Sequence, residues 1–152
     1  MQKLFPQPAL WLVFIMFTSV AYSGQSAPQH PTVEVENAFV RATPPGHKVT
    51  GAFMTLKNRT MEDIALIKAD SAVAKTTEIH ETSMKDGVMQ MNQIDKITIP
   101  AEGSVELKPG GLHLMLIGLK KDLNESDKVT LELTFSDQST QLVDVLAKKV
   151  NR

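Results

Sequence analysis

Two histidines and two methionines, His80, Met91, His113 and Met115, are the residues in this chain whose types and spacing could do chemistry. Neutral imidazole nitrogen and thioether sulfur are soft donors that suit Cu(I), whereas carboxylate-rich sets suit Mg, Ca and Mn. A set of two Met and two His adds no ligand charge, so a monovalent ion brings only its own charge into an apolar pocket. A divalent ion there would cost more to desolvate. Methionine has no proton to lose and, unlike a thiolate, forms no disulfide. The bland alternative is structural: methionine fills cores readily, and a buried histidine often serves as a hydrogen-bonded residue. It needs a partner in either case, because unmet buried polar atoms cost ~1–3 kcal/mol.

Residues i and i+2 of a strand share a face. In "LHLML" this puts His113 and Met115 on one face and Leu112, Leu114 and Leu116 on the other. In "VMQMNQ", Met89 and Met91 share a face and Gln90 points away, while "TEIHET" places His80 near the end of a strand leading to a "KDG" turn. Copper chemistry requires these three segments to converge at one end of a sandwich.

The chain supplies strands almost throughout. "VEVENAFVRA", "GAFMTLKN", "DIALIKADS", "KITIPAEGSVELK" and a closing "KVTLELTFSD…QLVDVLAKKV" hairpin show β-branched residues and period-2 alternation, with turn signals between them. "MEDIALIKADSAVAKT" leaves room for a helical turn or two. The expectation is an all-β domain, an antiparallel β-sandwich or barrel, without internal repeats.

The first 23 of the 152 residues read differently: Lys3, an apolar run from about Ala9 to Val20, then Ala21 and Ser23 at positions suiting signal peptidase. The run is shorter than the ~20 residues a membrane span needs. The domain assignment is therefore a signal peptide over 1–23 and a single β-sandwich domain over 24–152, exported to the periplasm. With no cysteine there is no lipobox, disulfide or thiolate site, and a lipid-anchored form is not expected. Removing Lys3 shifts the formal net charge from −1 to −2. Only Phe39, Phe53 and Phe135 remain as aromatics, and no basic stripe accompanies them, which argues against nucleic-acid binding. No phosphate loop, G-x-S-x-G elbow or HExxH appears, so no enzyme is expected.

Ten residues separate His80 from Met91, twenty-one separate Met91 from His113, and one separates His113 from Met115. This H-x10-M-x21-H-x-M spacing resembles that of the periplasmic copper chaperones called PCu(A)C. "NAFVRATPPG", "EIHETSMKDGVMQM" and "LKPGGLHLMLIGL" resemble segments of the same family, and the likeness runs from about Val33 to Val150. The resemblance implies a cupredoxin-like β-sandwich binding one Cu(I) per chain through His80, Met91, His113 and Met115. Met89 and Met84 are possible accessory donors. It also implies delivery towards the CuA subunit of cytochrome c oxidase, or exchange with a Sco-type copper protein. The His- and Met-rich tail of many members is absent from "LAKKVNR", which puts a tail-borne Cu(II) site in doubt; His30 and His47 read as solvated loop residues. A monomer is favoured. The competing reading is a metal-free exported β-sandwich that binds a partner protein, with His113 structural.

Overall fold

A computed structural model describes residues 31–150. The expected signal peptide and His30 lie outside these residues. Ten strands follow in chain order: β1 (Val33–Arg41), β2 (Val49–Asn58), β3 (Ile64–Asp70), β4 (Thr76–Lys85), β5 (Val88–Gln93), β6 (Ile97–Ile99), β7 (Ser104–Leu107), β8 (Leu112–Ile117), β9 (Lys128–Phe135) and β10 (Thr140–Lys148). Among the described residues there is no helix. The segment read as possibly helical forms β3 and then a turn at 72–75, because Ile64, Leu66 and Ala69 all find places in the core.

The ladder runs β5-β4-β8-β2-β1-β10-β9-β3-β6, with β7 added to the far half of β2. It folds over so that one core is shared by Met54 and Leu56 of β2, Leu114 and Leu116 of β8, Leu66 of β3 and Phe135 of β9. The all-β, cupredoxin-like sandwich expected from the sequence is the fold observed. Pairing is antiparallel with one exception: β1 and β10, where Phe39 sits beside Leu146, are parallel. The two strands that join the halves run in the same direction, a long-range consequence that no local pattern signals.

Alternation explains how each strand faces the core. In β9, Val129, Leu131, Leu133 and Phe135 are buried, and Lys128, Thr130 and Glu132 are not. β5 is the contrast: it lies at the end of the ladder, pairs only with β4, and all six of its residues are exposed. Its methionines are therefore not core fillers. Met54, by contrast, is 1% exposed and fully in the core, and Met61 stands at a turn in solvent.

Candidate metal centre

Three neighbouring strands, β5, β4 and β8, carry the four donors on one face. His80 lies directly opposite His113 across the β4–β8 pair, with ring centroids 5.8 Å apart. Met115 is one pleat further along β8, opposite Glu78. Met91 lies opposite Thr82 on the β4–β5 side. Both methionines are thus diagonal cross-strand neighbours of His80, at spacings of roughly 7–8 Å that long side chains can bridge. His80 is mid-strand and not near a strand end as expected, because β4 continues to Lys85; His113 sits at the start of β8. The extra length of β4 is stabilised by the hairpin to β5, whose Asp86-Gly87 turn has both residues at positive φ, 52° and 76°.

The imidazoles are held by different acceptors. Nδ1–H of His113 donates to the Gly111 carbonyl at 3.0 Å. A carbonyl can only accept, so Nε2 of neutral His113 keeps its lone pair. His80 is reversed: Nε2–H donates to Glu78 Oε2 at 2.8 Å, and Nδ1 is buried with no hydrogen-bond partner. A buried ring nitrogen without a partner is unfavourable unless something accepts its lone pair. Among the described residues no group of three or more His, Asp or Glu gathers to hold a metal ion. In register, the thioether side chains nearest the histidine pair on this face are those of Met91 and Met115, and sulfur suits a soft cation better than calcium.

Burial is graded across the face. His113 is 5% exposed and Met91 51%. Met91, His113 and Met115 line a cavity of about 580 Å³ that also touches Arg41, Phe53 and His47. Phe53 packs beside His113, with centroids 6.3 Å apart. Met89 and Met84 oppose each other across the hairpin on the same face as Met91, each 68% exposed. They extend the row of thioethers towards the turn but do not line the cavity. Sequence reading missed Glu78, Phe53 and Arg41 as neighbours of the donors. Glu78 was within reach of it, since a carboxylate two residues before a histidine in a strand shares its face.

The fold belongs to a cupredoxin-like class of β-domains. Solved structures align with most of the chain: the copper-bound PCuAC domain from PmoF2 matches with a TM-score of 0.67, covering 78% of this chain and 94% of that one. At 20% identity that match shows the fold alone. The solution structure of apo-DR1885 from Deinococcus radiodurans is 31% identical, with a TM-score of 0.63 over 99% of this chain and 97% of the other. Its Cu(I) form is 32% identical, with a TM-score of 0.59, covering 84% and 83% of the two chains. A protein of Leifsonia xyli subsp. xyli described as "Putative lipoprotein Lxx21020" is 38% identical over 117 residues, 76% of this chain and 69% of that protein. Residues 33–147 match the LpqE-like family, described as "Putative lipoprotein LpqE-like", and the chain belongs to that family. The cysteine to which a bacterial lipoprotein's lipid is attached does not occur in this sequence.

Proposed function

We propose that this protein is a Cu(I) carrier that holds one ion per chain between Nδ1 of His80, Nε2 of His113 and the thioethers of Met91 and Met115. The observation that carries the reading is the opposed histidine pair, in which hydrogen bonding leaves one bare nitrogen on each ring and sulfur donors flank both. The Cu(I)-bound structure of DR1885, 32% identical, supports it. All four donors are neutral, so the ion is retained by matched softness and partial desolvation rather than by charge. A half-exposed Met91 provides the open side from which a ligand can be exchanged. Such a site stores and passes an ion; it needs neither a nucleophile nor a general base. The leader read from the sequence is the reason we put this activity in the periplasm. The acceptor we favour is the CuA centre of cytochrome c oxidase, reached directly or through a Sco-type protein.

Competition with a chromogenic Cu(I) chelator under reducing conditions tests the assignment. The protein should take up one equivalent, and the His113→Ala, Met115→Ala double variant should lose tight binding while its far-UV spectrum stays that of a β-protein. If that variant competes for Cu(I) as well as the parent does, the site is elsewhere; if the parent itself takes up no Cu(I), the metal-free interaction module becomes the better reading.

A further inference from the structure

The cavity beside the four donors carries charge that copper holding does not use. Arg41, His47 and Lys149 line it together with Met91, His113 and Met115, and no Asp or Glu does. Arg41 ends β1 with its guanidinium over the Phe53 ring, 5.6 Å from the centroid. Its Nε is buried and has no hydrogen-bond partner among the described residues. A buried donor left unmet costs ~1–3 kcal/mol, and more when charged. Lys149 reaches Glu125 at 3.5 Å, but both side chains are well exposed and such a pair contributes little. Asp122 is engaged elsewhere, accepting from the Gly46 amide at 3.1 Å, and it does not line the cavity. The whole chain is nearly neutral, with a formal net charge of −1. The excess of cations is therefore local to this cavity, and a bound Cu(I) would add to it.

The rim is apolar and open. Val49, Met91 and Val150 are exposed on it, and Met84 and Met89 prolong the same face along the β4–β5 hairpin. Arginine, methionine and exposed apolar side chains around a concavity are the composition of a protein-binding surface.

We propose that the protein exchanging copper with this chain docks here, and that the cavity receives an acidic side chain of that partner. Its carboxylate pairs with the Arg41 guanidinium where it lines the cavity and with Lys149, while the partner's own soft donors reach the open side of Met91 and Met115. Copper then passes by ligand exchange: a partner donor bonds to Cu(I) as one of the four donors here releases it, and no electron or proton moves. The inference rests on the copper reading for its purpose, but the charge complementarity can be measured without metal.

The probe is acetyl-Met-Asp-Met-amide, titrated into the metal-free protein at low salt while the Arg41 Nε–H resonance is followed by NMR. Acetyl-Met-Asn-Met-amide and succinate serve as comparisons. The Asp peptide should shift that resonance and bind about tenfold more tightly than the Asn peptide, the ratio that one charge-assisted contact supplies. Arg41→Gln and Lys149→Gln should each remove most of the difference. Lys149 is exposed, so its variant remains informative if Arg41→Gln fails to fold. Equal binding of the two peptides, or a preference unchanged in Lys149→Gln, overturns the proposal. Succinate binding as tightly as the Asp peptide overturns the protein-partner assignment in favour of a small-anion site. Cu(I) competition on Lys149→Gln should match the parent. Loss of Cu(I) binding in the parent would sink the copper reading alone, and loss of Asp discrimination would sink the docking reading alone.

Discussion

At the residue scale, the behaviour of the site turns on which nitrogen each histidine presents. Glu78 accepts from His80 Nε2–H and so leaves Nδ1 buried without a partner, on a ring that does not itself line the cavity; the Gly111 carbonyl does the reverse for His113, whose side chain does line it. Carboxylate partners of metal-binding histidines fix the tautomer and raise ligand basicity, and their loss costs roughly 10–100-fold in metal affinity. Glu78→Ala should therefore weaken Cu(I) binding by about that factor, and Glu78→Gln, whose amide oxygen still accepts, should recover part of it. Long-range 15N spectra of the metal-free protein should show His80 protonated at Nε2 and His113 at Nδ1. Finding both rings in the same tautomer would remove this account of Glu78.

At the scale of elements, close packing between β2 and β8 keeps the face open. Gly51 lies opposite Met115, and a Cβ there would come within 2.9 Å of the Phe53 ring. Gly51→Ala must displace the Phe53 ring, which packs beside His113 in the cavity wall, at the ~1–3 kcal/mol typical of overpacking. The expected outcome is a lower melting temperature together with weaker Cu(I) retention; retention equal to the parent's would show that Phe53 can move away from the donors. The β9–β10 hairpin offers a separate test. Asp137 Oδ1 accepts from Ser139 Oγ at 2.6 Å and from its amide at 2.9 Å. The Ser139 hydroxyl is the main reason that the Asp137 carboxyl titrates below its ordinary value of 3.8. Because the folded value is the lower one, this turn adds stability above the ordinary carboxylate range and loses it as pH falls through the folded value. The melting-temperature gap between parent and Asp137→Asn should be full at pH 6 and shrink below about pH 4. A gap that does not change with pH would assign the turn's effect to geometry alone.

Across the whole molecule, β8 separates stability from function. Leu114 and Leu116 are fully buried in the shared core, while His113 and Met115 face the cavity. Leu114→Ala should cost about 2–5 kcal/mol in denaturant unfolding yet leave one Cu(I) equivalent bound to whatever fraction remains folded. A Leu114→Ala protein that stays stable but loses copper would contradict this division. The division itself was legible early, because alternation in "LHLML" assigns the two faces without knowledge of any partner strand.

The chain's own pattern thus determined the strand content, the hairpin turns, the residue types that could hold a soft ion, and which of them share a face. Those properties depend on neighbours two to four residues away. Tertiary structure decided what depends on pairing across long separations: that β4 lies between β5 and β8, that His80 is mid-strand and level with His113, and that β1 and β10 run parallel. It alone brought Arg41 and Lys149, from opposite ends of the domain, to the cavity beside Met115. Register is set by burial of the opposite faces, by Leu114, Leu116 and Ile79 entering the core, so the geometry of the donors follows from packing that occurs behind them.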